Sequence, residues 1–206
     1  MLTLFLKGLL IGFSIAAPVG PIGILCINRT LASGMLAGLT SGLGAAVADA
    51  FYGCVAGFGL ASVSTFLLSQ KTLIQLIGGI FLIYLGIKTF HTHTQHTAIK
   101  DKANTLWKDF TSTLFLTITN PMTIISFMAI YASLGIVESG ARYQEAILIV
   151  IGVFIGSLLW WGVLSTGVHI IRHKLSEQFL IWINRFSAMI LSGFGLFAFL
   201  SAIITK

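Results

Sequence analysis

The segment GLLIGFSIAAPVGPIGILCIN occupies residues 8–28, between Lys7 and Arg29. Its 21 uncharged residues are enough to carry one helix across a hydrocarbon core of about 30 Å, which takes about 20 residues. Pro18 and Pro21 interrupt it. Each lacks a backbone N–H and clashes with the preceding turn, and Gly20 between them admits backbone angles that other residues resist. The spacing predicts a transmembrane helix broken at its middle or far end. Backbone groups freed by such a break cannot face lipid; they are tolerated only inside protein or beside a water-filled cavity.

The rest of the chain has the same character. Of its 206 residues, 56% are hydrophobic and 9% charged, and the mean hydropathy is +0.98. A soluble domain carries about 25% charged residues. So few charges cannot cover a water-facing surface, which predicts an all-α integral membrane protein and excludes a cytosolic enzyme, a nucleic-acid-binding domain and a disordered linker. The net charge of +6 is assigned to loops on the cytoplasmic side, with the lipid bilayer and no nucleic acid as partner. Ser14-Ile15-Ala16 resembles a leader cleavage site, but no charge precedes Lys7 and Pro18 follows almost at once, so a signal peptide is not expected.

The gaps between charges predict six spans. After the first, the 41 residues between Arg29 and Lys71 are interrupted only by Asp49. As one helix they would measure about 62 Å, so one span near Leu36–Phe58 is expected there. Lys71 to Phe90, Asp109 to Glu138 and Glu145 to Arg172 supply three more, and Gln178 to Lys206 the last. The loops after spans 1, 3 and 5 hold eight basic residues (Arg29; Lys88, Lys100, Lys102 and Lys108; Arg172, Lys174 and Arg185), against four on the other side (Lys7, Lys71, Arg142 and Lys206). That split places both termini outside.

The two halves look related. Phe51-Tyr52-Gly53 matches Trp160-Trp161-Gly162 at an offset of 109, which also aligns Gly78-Gly79 and Gly86 with Ser187-Ala188 and Gly195. A proline also breaks the first span of each half, at Pro18-Val19-Gly20-Pro21 and at Asn120-Pro121. Three spans per half require opposite insertion, giving two inverted three-helix repeats: residues 1–90, a cytoplasmic loop at 91–108, and residues 109–206. These form one transport domain, and inverted repeats with broken first helices are a pattern of secondary transporters. Half-helix N-termini offer partial positive charge to a carboxylate, and C-terminal ends offer carbonyls to a cation.

Asp49 is the one ionisable residue expected deep inside a span, where a charge costs about 2.5–3.5 kcal/mol on insertion scales. The row Ser41, Ala45, Asp49, Gly53, Gly57 and its neighbour Gly34, Gly38, Gly42, Ala46, Ala50 are both small. They form a close-packing face, within one chain or across a homodimer. Proton carrier and cation ligand are the functional readings of Asp49; the structural one is a protonated acid that hydrogen-bonds helices together. Trp160 and Trp161 are a candidate aromatic gate or packing residues. His91, His93 and His96 form a polar loop whose spacing admits a transition metal, although a solvated loop explains them more simply. Cys26 and Cys54 lack metal-ligand spacing and read as small core residues. There is no phosphate-cradling motif, no paired-carboxylate site and no sign of a cofactor or metal.

Taken together, these residues resemble the LysE (RhtB) family of amino-acid exporters over nearly the whole chain. Ala17-Pro18-Val19-Gly20-Pro21-Ile22-Gly23 is similar to the family's proline-glycine-proline signature, with Val19 inserted. Gly42-Leu43-Gly44 followed by Asp49 is similar to its second-helix motif, and residues 78–86 to its third-helix pattern. Thr119-Asn120-Pro121 and Trp182-Ile183-Asn184-Arg185 resemble its later signatures. The resemblance implies secondary export of an amino acid, driven by protons. Asp49 is then the coupling residue, and Pro18, Gly20, Pro21, Asn120 and Pro121 shape the substrate pathway. A divalent metal-ion exporter using the histidine loop is the alternative.

Overall fold

The computed structural model describes residues 1–18, 20–58, 66, 69–91, 102–120, 123, 125–127, 143–172 and 175–204, and their regular structure is entirely helical. Seven helices are delimited among them: α1 Leu2–Ala16, α2 Pro21–Ser33, α3 Met35–Gly57, α4 Lys71–His91, α5 Lys102–Ile118, α6 Tyr143–Arg172 and α7 Glu177–Ile204. Within α3, α4, α6 and α7, the stretches Met35–Val55, Thr72–His91, Gln144–Arg172 and Gln178–Ile204 are long and apolar enough to cross a membrane. The pair α1 and α2, bent by 79°, adds a fifth if it is one broken span. Six were expected. The span expected between Asp109 and Glu138 is represented by α5, which ends at Ile118, and residues 128–142 lie outside the described part.

The break between α1 and α2 follows from the prolines. Pro18 cannot donate to the Ser14 carbonyl, nor Pro21 to that of Ala17, so the helical ladder stops. The last bond of α1 runs from the Ala17 N–H to the Phe13 carbonyl. Pro21 then opens α2 at its first position, where a missing N–H costs nothing. Gly34 closes α2 with φ of +95°, a backbone conformation that favours glycine. Read from sequence as the first residue of a packing face, Gly34 is instead the turn that sends the chain back along α3.

Packing is close where glycines meet backbone. Gly8 and Gly12 on α1 face Ile149 and Val153 on α6, and Gly152 and Gly156 on α6 face Phe5 and Leu9 on α1. A side-chain carbon at any of the four would overlap main-chain atoms of the other helix. Lipid tails are as apolar as leucine, so helices in a bilayer associate by such contact and by hydrogen bonds rather than by hydrophobic burial. The small-residue face of α3 works in the same way: Gly38 and Gly42 meet Ser165 and Trp161 on α6, and Gly44 meets Phe110 on α5. That face is thus occupied within the chain. α4 packs along α7, with Gly79 against Gly195 and Gly86 against Ala188 and Ser192. α2 lies among α3, α5, α6 and α7.

Large apolar side chains cover the outside. Phe186, Met189, Phe197 and Leu200 on α7 and Ile80, Tyr84 and Ile87 on α4 are exposed, as a lipid-facing surface requires. The basic ends of several helices gather together. Arg172 on α6 donates to the Ala32 carbonyl near the end of α2, Asn184 on α7 donates to the Thr89 carbonyl on α4, and Arg185 on α7 sits over the Phe90 ring. Trp107 and Trp182, both exposed, begin α5 and α7 at this end, where amphipathic rings mark a membrane–water interface.

Candidate functional site

A cavity of about 380 Å³ lies at the break between α1 and α2. Pro18, Gly20, Pro21, Ile22 and Gly23 line one side of it. Pro21, Ile22 and Gly23 form the first turn of α2, and no side chain caps that turn. The first N–H of this region engaged by the helix ladder belongs to Ile24, which donates to the Gly20 carbonyl. The N–H groups of Ile22 and Gly23 precede it, so the positive end of the α2 dipole opens on the cavity. Ile15 and Ala16, whose carbonyls close the negative end of α1, line it too. The broken helix thus brings ends of opposite polarity to one space.

Asp49 enters the cavity from α3, 3% exposed. Its Oδ2 accepts a hydrogen bond from the Ser157 hydroxyl on α6 at 2.7 Å, and Ser157 in turn accepts one from the Trp161 indole N–H at 3.1 Å. Trp161 lines the cavity one turn along α6. Thr117, Asn120, Thr123 and Ser126 add hydroxyl and amide groups from the other side.

The second break is built differently from the first. α5 ends at Ile118. The Asn120 N–H folds back onto the Thr117 carbonyl, and the Thr123 N–H donates to the Asn120 carbonyl. The Ile118 carbonyl, released by the break, accepts the Tyr52 hydroxyl from α3. Tyr52 therefore ties the Asp49 helix to the second break and satisfies a buried backbone acceptor.

Among the residues singled out in sequence, Asp49, Pro18, Gly20, Pro21, Asn120 and Trp161 line this one cavity. Trp160 points elsewhere, packing edge-on against Phe13 with ring centroids 5.3 Å apart. Pro121 lies outside the described residues, as do His93 and His96. His91 ends α4, with its Nδ1 2.8 Å from the Ile87 carbonyl. No group of three or more His, Cys, Asp or Glu suited to a metal ion occurs among the described residues.

Sequence reasoning missed Ser157, and it read Arg29 as a loop charge. Arg29 lies inside α2, largely buried. Its Nε is 3.1 Å from Asp109 Oδ1. Its terminal nitrogens donate to Ser41 on α3 and, on α5, to Ser112, Thr113 and the Asp109 carbonyl. Beside it, Asn28 donates to Asn184 on α7 at 2.8 Å. The polar half of α2 is thereby fastened to three neighbours, just beyond the turn that opens on the cavity.

The family model described as LysE type translocator matches residues 13–202. The Bacillus subtilis (strain 168) protein named "Putative amino acid efflux protein YcgF" is 28% identical over 201 residues, 95% of each chain. The Escherichia coli (strain K12) protein named "Uncharacterized membrane protein YahN" is 30% identical over 109 residues, 52% of this chain and 49% of its own. No solved structure matches.

Proposed function

The chain belongs to the LysE type translocator family, and from that premise we propose that it is a secondary active exporter of amino acids or close derivatives, coupled to protons through Asp49. It is a multi-pass membrane protein with a small-molecule substrate. The observation that carries the proposal is the meeting of Asp49 with both ends of a broken helix in one cavity. An α-amino acid carries a carboxylate and an ammonium group on one carbon. The uncapped N–H groups at the start of α2 suit the carboxylate. Asp49 and the carbonyls at the end of α1 suit the ammonium.

One carboxylate can hold a proton or an ammonium group, not both. If Asp49 gives up its proton on one side to take the substrate, and regains a proton when the substrate leaves on the other, the two movements are linked. Export then runs on protons moving inward. Pro18, Gly20, Pro21, Asn120 and Pro121 shape the substrate pathway, with Trp161 at its wall.

Six spans in two inverted repeats, residues 1–90 and 109–206, fit the packing. α3 and α6 are counterparts in the two halves and touch; so are α4 and α7. At an offset of 109, positions 79 and 86 correspond to 188 and 195. A two-fold relation turns the contact of Gly79 with Gly195 into that of Ala188 with Gly86, and both contacts are present. The basic residues gathered at one end support a cytoplasmic assignment for it, and periplasmic termini in a bacterial inner membrane. A homodimer would need a surface other than the α3 face, which is filled within the chain.

The test is to feed dipeptides to cells with and without the protein and measure the accumulated amino acids. Export lowers the intracellular level of at least one. Unchanged levels across all twenty would rule the reading out.

A further inference from the structure

A second cavity of about 230 Å³ adjoins the first and shares Pro21, Ile22, Asn120 and Phe194 with it. Its remaining wall comes from α4, α5 and α7, with Leu82, Leu116 and Ala198 among its apolar residues and the exposed Phe197 at its rim. Gln75, Thr119 and Asn120 are the polar residues among its described lining, which includes no acid or base. In the first cavity Asp49 is the one ionisable group among the described lining residues.

Resting on the exporter reading, we propose that this second cavity receives the substrate's side chain and selects neutral amino acids with large apolar side chains, of the size of leucine, methionine or phenylalanine. The two cavities meet at the first turn of α2, where the substrate's carboxylate is placed. A side chain leaving the same carbon is therefore directed past Ile22 into the second space. Charge excludes the basic amino acids. A lysine or arginine side chain would bring a cation into a wall whose described residues offer no carboxylate, and burying an unpaired charge is prohibitive. Asp49 cannot serve that cation while it holds the α-ammonium group. Size favours the larger apolar side chains. A dry apolar cavity of about 150 Å³ takes up benzene, so this one admits a branched or aromatic side chain and leaves that of alanine poorly packed.

The experiment uses the full chain in liposomes under an imposed proton gradient, with labelled leucine, methionine, phenylalanine, alanine and lysine. The expected result is transport of the first three with KM at least fivefold below that for alanine, and none of lysine above control. Ala198→Phe fills the second cavity; it should raise KM for leucine and phenylalanine at least tenfold and change alanine by less than twofold. Leu82→Ala enlarges the cavity and should favour phenylalanine over leucine severalfold. Preference for lysine or alanine overturns the proposal while leaving an amino-acid exporter standing. So does an unchanged profile in both variants, the result expected if a lipid chain occupies this space. Transport of no amino acid at all overturns the exporter reading itself.

Discussion

Ser157 donates its hydroxyl to Asp49 Oδ2 at 2.7 Å across the contact of α3 with α6, from a position 108 residues away in the chain. The Ser157 hydroxyl oxygen in turn accepts the indole N–H of Trp161. The carboxylate is therefore oriented by a chain of two donors, and its place in the cavity is set by α6 as much as by its own helix. Hydrogen bonds to charged groups are worth about 1.5–3 kcal/mol. Ser157→Ala should lower the rate of gradient-driven transport about tenfold or more, while Ser157→Thr, which keeps the hydroxyl, should retain most of it. Initial rates in liposomes measure both, and equal rates in all three proteins would remove Ser157 from the mechanism.

Asp49→Asn keeps the shape and the ability to accept from Ser157, but it cannot carry a proton. We expect amino-acid movement against a gradient to be abolished, with the protein still folded and extracted at normal yield. Asp49→Glu should restore a measurable fraction. A variant with asparagine that still couples transport to an imposed proton gradient would show that the coupling ion is carried elsewhere.

Arg29 and Asp109 form an ion pair that is largely buried. Removing one partner of such a pair costs about 3–5 kcal/mol, because the other charge is left uncompensated. Arg29→Met should lower the denaturation midpoint in detergent sharply. Arg29→Lys should help little, since an ammonium cannot serve Ser41, Ser112 and Thr113 in the fork geometry of a guanidinium. The double variant Arg29→Met with Asp109→Leu should recover most of the loss. A single variant as stable as the parent would mean that water already screens the pair.

The glycines divide into two groups. Gly12→Leu and Gly156→Leu place carbon against main-chain atoms of the facing helix and should cost at least about 1–3 kcal/mol, the usual range for overpacking. A Cβ at Gly162, Gly167 or Gly193 meets nothing within 4 Å, so alanine at each should leave the fold intact and raise the melting temperature slightly, through up to about 1 kcal/mol of helix propensity. Thermal denaturation of the two sets in the same detergent compares them directly.

Much of the fold was legible in the spacing of charges. The span expected near Leu36–Phe58 is α3, Met35–Gly57, because the bilayer fixes helix length and charge marks its ends. The break between α1 and α2 was legible because a proline inside a helix stops its ladder while one at the first position starts a new helix. Arg29 was misplaced for the same reason that the spans were found: a charge reads as a boundary. Its partners Asp109, Ser112 and Thr113 recur at helical spacing on one face of α5, and that polar stripe was the signal that something charged lies opposite. Asp49 stood out alone in its span, whereas Ser157 looked like any small residue in an apolar helix. Only the packing of α3 on α6 brings the two together. Trp160 and Trp161 are adjacent in sequence, and only the rotation of α6 decides which one reaches the cavity.

The two pieces of the broken helix are mounted by different means. α1 rests on α6 largely through glycines, main chain against main chain, with Phe13 edge-on to Trp160 beside them. α2 is held by the side-chain hydrogen bonds of Asn28 and Arg29 together with its buried Ile22, Leu25 and Cys26. The break thus joins a piece seated by shape to one oriented by polar contacts. The two pieces therefore respond to different changes: added volume at the α1–α6 glycines displaces the first, and loss of a polar partner loosens the second.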